Sequence, residues 1–70
     1  MPKLTFFNLP ETKQQAILDV AIEEFAANDY KAVSISRIVA RTGIAKGSFY
    51  QYFEDKQDLY LYLIRLAADE

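Results

Sequence analysis

The chain has 70 residues, 51% of them hydrophobic, with a formal net charge of −2, which bounds it to one small domain or a piece of a longer protein. It has no Cys and no His, which excludes a disulfide framework, the usual zinc sites and the usual neutral-pH general base; no nucleophile–base pair remains, so no catalytic, cofactor or metal residue is assigned and no enzyme activity is expected. No run of about 18 apolar residues is present to cross a bilayer, and "MPKLTFFNLPETK" lacks the apolar core and cleavage site of a signal peptide, so an intracellular domain with no membrane partner is expected.

Residues 1–10 read as an N-terminal arm. Residues 11–27 have helical periodicity: Ile17, Ala21 and Phe25 recur at i, i+4 and i+8, Leu18 and Ile22 widen the stripe, and Gln14, Gln15, Asp19 and Glu23 lie mostly opposite. Pro10 suits the first helical turn, where its missing N–H costs nothing. Asn28 and Asp29 stop this helix, because both tolerate the left-handed conformation of a C-terminal cap. Ser34 is an N-cap for a short second helix over residues 35–41, with Ile38 and Val39 facing inward. Thr42-Gly43 ends it, since a tight turn needs a positive φ that glycine adopts freely. Ile44 then plugs the space between the second helix and the third.

The third helix covers residues 46–53. Phe49 and Phe53 face inward, Lys46, Ser48, Tyr50 and Gln51 face outward, and Tyr52 fits either side. "EDK" interrupts the pattern, and a fourth helix begins near Lys56 or Gln57. The Leu-Tyr alternation of "DLYLYLIRLAADE" also fits a strand; its length, flanking charges and lack of Gly and Pro favour a helix. Two short helices joined by a tight glycine turn make an all-α helix-turn-helix bundle the expected fold. In the last helix, seven of the eight residues 60–67 are apolar. One face, with Leu59, Tyr62, Leu63 and Leu66, is expected to be covered, leaving an exposed patch of the kind that marks an interaction surface.

The charge is unevenly spread. Residues 1–30 carry two Lys against five acids, whereas residues 31–56 carry Lys31, Arg37, Arg41, Lys46 and Lys56 against Glu54 and Asp55. Such a local positive region suits a phosphate backbone despite the net negative total. Gly47 lies in the first turn of the third helix, where Ala would be more stable by roughly 0.5–1 kcal/mol. Two readings are open: close packing between helices, or close approach of the backbone to a phosphate, aided by Lys46 and the Ser48 hydroxyl. A helix of this length matches the B-DNA major groove, which is about 12 Å wide. Lys56, at a helix start where the dipole disfavours a cation, reads as a grip on the DNA backbone.

"AILDVAIEEFAANDY" and "SISRIVARTGIAKGSFYQYFEDKQDL" together closely resemble the N-terminal DNA-binding domain of tetracycline-repressor-like (TetR family) regulators, over residues 11–66. The residues in register are Phe25, Tyr30, Ile38, Thr42-Gly43-Ile44, Lys46-Gly47-Ser48, Tyr50, Phe53, Lys56 and Leu59. The resemblance implies a three-helix, homeodomain-like bundle over residues 11–55, and a fourth helix over residues 56–70 leading to a C-terminal domain that dimerises and binds a small-molecule effector. It implies a double-stranded DNA operator as partner, a homodimer, repression relieved by release of the operator on effector binding, and a bacterial cytoplasmic, nucleoid-associated location. By the same resemblance Ser34, Ser36 and Arg37 contact DNA from the second helix, Lys46, Gly47, Ser48, Tyr50, Gln51 and Tyr52 from the third, and Lys56 binds phosphate. Asp29 stands where the family usually has Gly, Val33 where Thr is common, Val39 where Ala is common, and Gln51-Tyr52 where the second residue is commonly His. A rival reading is a helical protein-interaction module docking through the Leu/Tyr-rich last helix.

Overall fold

The computed structural model describes residues 1–69. Five α-helices follow in chain order: α1 (Leu4–Phe7), α2 (Glu11–Ala27), α3 (Ile35–Thr42), α4 (Lys46–Tyr52) and α5 (Lys56–Ala68), with a 3₁₀ turn at Tyr30–Ala32 between α2 and α3. No strand occurs among the described residues, so the fold is all-α, as the periodicity predicts. The expected fourth helix is α5, and its far end at residue 70 lies outside the described residues.

The core forms where each amphipathic face meets the others. Ile17, Leu18 and Ala21 of α2 are buried, as are Ile38 and Val39 of α3, Phe49 of α4 and Leu59 of α5. Phe49 and Phe53 stack with ring centroids 5.4 Å apart, and both are fully buried. Leu61 and Ile64 remain about half exposed on α5, which is the apolar patch expected beyond the covered face; Ile22, expected in the inward stripe of α2, lies at the edge of that stripe and is also about half exposed.

The turn between α3 and α4 uses Gly43 at φ 77°, with its N–H donating to the Val39 carbonyl at 2.9 Å. This left-handed cap satisfies a helix-end carbonyl and reverses the chain at once. Ile44 is half-buried against the core. At the start of α5, Asp55 accepts from the Asp58 N–H at 2.8 Å, and the Asp58 carboxylate accepts from the Glu54 N–H at 3.0 Å. The two acids cap the helix reciprocally, in the manner of a capping box shifted by one residue.

Three further details differ from the sequence expectation. Residues 1–10 contain a turn of helix, α1, and Phe6 is fully buried with its ring centroid 5.0 Å from that of Phe53. Pro10 stands at the N-cap of α2, one place ahead of the first helical residue. Asn28 is extended at φ −137° rather than left-handed; its side-chain amide instead donates to the Glu24 carbonyl at 3.0 Å, which satisfies the helix end without a positive φ.

Candidate nucleic-acid interface

α4 has seven residues, so it is about 10 Å long. Lys46 and Tyr50 are separated by four positions, as are Gly47 and Gln51, so each pair shares a face of the helix. All four residues are exposed, Ser48 is half-buried beside them, and Phe49 and Phe53 are buried on the opposite side. The helix thus shows solvent a strip of one ammonium, one amide and two hydroxyls while its rings anchor it from behind. A Cβ added at Gly47 would meet nothing within 4 Å. Close helix packing is therefore not the reason for this glycine, and the bare backbone faces open space.

Lys46 and Lys56 both reach the beginning of α3. Lys46 Nζ donates to Ser36 Oγ at 2.9 Å. Ser34 caps α3, accepting the Arg37 N–H at 3.3 Å, as expected of a serine at this position. Lys56 Nζ donates to the carbonyls of Tyr30 at 2.7 Å and Val33 at 3.1 Å, the latter just before Ser34. These contacts draw the first turns of α3, α4 and α5 together, with Ser34 and Ser36 exposed between the two lysines. Tyr52 stands apart. It is half-buried, its ring faces Phe6 with centroids 6.4 Å apart, and so it belongs to the aromatic cluster rather than to the exposed strip.

The arginines of the positive region are paired within the chain. Glu24 of α2 is 5% exposed and receives both. Arg41 Nη1 donates to Glu24 Oε2 at 2.8 Å, and its Nη2 donates to Glu23. Those hydrogen bonds, Glu23's first and Glu24's second, raise the Arg41 pKa above its ordinary value. Arg37 Nε lies 3.1 Å from Glu24 Oε1 and 3.3 Å from Oε2, and only Oε2 meets hydrogen-bond geometry. Arg37 remains 71% exposed, so its guanidinium is pinned at one edge and open to solvent at the rest.

Three residues of this arrangement escaped the sequence reading. Glu24 falls on the helix face next to the apolar stripe, and its i, i+13 and i, i+17 arginine partners sit on another helix. Lys3 and Thr5 belong to α1 and its approach, and both bond to α4. Lys3 N–H donates to the Tyr52 carbonyl at 2.7 Å, Lys3 Nζ to that of Tyr50 at 2.8 Å, and Thr5 Oγ1 to that of Gln51. The Phe6-Phe7 doublet was the available signal that residues 1–10 pack against something.

Residues 17–63 match the family model described as "Bacterial regulatory proteins, tetR family". The chain is similar to the fatty acid metabolism regulator protein of Bacillus subtilis, at 36% identity over 76% of this chain and 27% of that protein. It is 34% identical to the HTH-type transcriptional repressor AcnR of Corynebacterium glutamicum, over 84% of this chain and 31% of that one. A crystal structure of a TetR family transcriptional regulator from Chloroflexus aurantiacus superposes with a TM-score of 0.94 and 64% identity, over 99% of this chain and 32% of that one. The chain spans less than a third of the length of each of these relatives. By the family match, the sequence identity and the shared helix-turn-helix architecture, the chain belongs to the tetR family of bacterial regulatory proteins.

Proposed function

We propose that this chain is the sequence-specific DNA-binding domain of a transcriptional regulator, a repressor, that reads the major groove with α4. The observation that carries this reading is the exposed strip Lys46, Gly47, Tyr50 and Gln51, backed by buried Phe49 and Phe53 and flanked by Ser34, Ser36 and Lys56. A backbone open to solvent at Gly47 lets a phosphate or base edge come close. Lys46 and the serine hydroxyls supply phosphate contacts that fix register, and Gln51 and Ser48 supply donors and acceptors for base edges. Arg37 adds its open edge. Lys56 spends two N–H bonds on carbonyls and keeps one for phosphate.

Family membership supports a DNA operator as partner, and the similarity to AcnR, a transcriptional repressor, supports repression. In a longer protein the remaining length is where a homodimer interface and a small-molecule effector site would lie. Paired heads would meet half-sites about 34 Å or a multiple of it apart. A cytoplasmic place accords with this role; among the described residues no helix is long and apolar enough to cross a membrane.

The test is selection of duplexes from a random pool, followed by anisotropy of a labelled selected duplex and a scrambled control at two salt concentrations. The salt slope expected for one head is about −2 to −4. The double variant Lys46→Ala, Tyr50→Ala should lose at least about tenfold in affinity while remaining folded, as cooperative unfolding and helical circular dichroism would show. The half-exposed Leu61, Ile64 and Ile22 favour a second reading, docking of a protein partner along α5 and α2. An unaltered affinity in that double variant would favour this second reading.

A further inference from the structure

We propose that residues 1–6 are a clamp that sets the position of α4 for sequence reading, with Lys3 and Thr5 as positioning residues; this rests on the assignment of α4 as the DNA-reading helix. A seven-residue helix is too short to be stable alone. Its last four carbonyls have no partner within the helix proper and must find one elsewhere. Here the Phe49 carbonyl accepts the Phe53 N–H at 2.9 Å. The remaining three, on Tyr50, Gln51 and Tyr52, accept from Lys3 Nζ, Thr5 Oγ1 and the Lys3 N–H. Three consecutive helix-end carbonyls are thus held by a segment more than forty residues earlier in the chain.

The clamp is itself anchored. Pro2 and Phe6 are buried on either side of Lys3 and Thr5, and Phe6 lies against Phe53 and Tyr52. The Lys3 ammonium sits where the α4 dipole is negative, which favours a cation. Tyr50 and Gln51 have side chains on the exposed strip and carbonyls in the clamp. The bonds therefore fix the rotation of α4 through the residues that face the groove. Base contacts depend on that rotation, because a hydrogen bond weakens steeply with misalignment. Lysine contacts to phosphate, made through a flexible stem, tolerate a small displacement. Loosening the clamp lowers affinity for the correct sequence more than affinity for any other.

The intact protein is compared with Thr5→Val, which preserves charge, with Lys3→Met, and with Lys3→Arg as the conservative variant. Two readouts are taken: amide hydrogen exchange of Phe49, Tyr50, Gln51, Tyr52 and Phe53 against that of Ile17 and Ala21, and anisotropy of a selected against a scrambled duplex. Thr5→Val and Lys3→Met are expected to speed exchange in α4 by about tenfold while leaving α2 protected. Their affinity for the selected duplex should fall about tenfold and that for the scrambled duplex less than about threefold, with Lys3→Arg close to the original. Equal weakening of both duplexes, an unchanged ratio despite faster α4 exchange, or no change in either readout would overturn the proposal. If the unmodified protein enriches no duplex, the DNA-reading assignment fails and the specificity role with it, while exchange in α4 still shows whether the clamp holds the helix.

Discussion

The Lys56 ammonium sits 4.5 Å from the centroid of the Tyr30 ring while donating to the carbonyl of that same Tyr30 at 2.7 Å. One side chain at the start of α5 thereby holds the turn that leads into α3, by a charge over a ring face and by bonds to Tyr30 and Val33. Lys56→Met should lower stability by about 1–2 kcal/mol, the range for charge-assisted bonds in a partly exposed setting. Urea denaturation without DNA checks this, since a lysine that served phosphate alone would leave the midpoint unmoved.

Glu24→Gln keeps the shape of the side chain and removes its charge. The arginines it pairs are partly exposed, so the loss is expected to be smaller than for a fully buried pair, about 1–2 kcal/mol. The freed guanidinium charge should at the same time raise affinity for a random duplex at low salt, by roughly threefold to tenfold. Thermal unfolding and anisotropy on one preparation read the two opposite effects.

The two glycines should respond in opposite directions. Gly43 has φ 77°, so Gly43→Ala should destabilise by about 1–2 kcal/mol even though the added Cβ meets no neighbour. Gly47 has ordinary helical backbone and open space, so Gly47→Ala should stabilise by up to about 1 kcal/mol. The same change should weaken binding to a selected duplex, because the methyl group stands where DNA would approach. A Gly47→Ala variant that is both more stable and equally tight would remove close approach as the reason for this glycine.

Asp58 gives the fold an acid limit. Burial raises its pKa, but hydrogen bonds from the Met1 ammonium and the Glu54 N–H outweigh it and hold the carboxyl below its ordinary value. A carboxylate depressed in the folded state adds stability above its unfolded pKa, near 4, and that stability is lost as pH falls through the folded value. Asp58→Asn should therefore be less stable than the original at neutral pH, by less than about 1 kcal/mol, with the gap closing on acidification below about pH 4. Denaturant midpoints at a series of pH values check the direction.

Much of this architecture can be read from local pattern. The bounds expected for the first long helix, residues 11–27, are those of α2, and Ser34 and Gly43 cap α3 as their chemistry predicts. These features depend on neighbours within a turn or two. α1 was not legible because a four-residue helix has no periodicity of its own and forms here through Phe6 packing on residues far along the chain. Asn28 misled because a side-chain amide can finish a helix in more than one way, and its bond to the Glu24 carbonyl needs no left-handed turn. In the interface, the exposed strip on α4 follows from helical spacing alone. The pairing of Arg37 and Arg41 with Glu24 does not, since composition counts charges and only the fold decides which of them meet.

That pairing changes how such a head would travel along a chromosome. With two of its cations leaning on acids of the same molecule, the domain offers a phosphate backbone fewer freely placed charges at contact than its basic residues would if unpaired. In a DNA-binding role, dwell at arbitrary sequence would shorten accordingly, and fewer copies would be detained by the bulk of the genome on the way to a matching site.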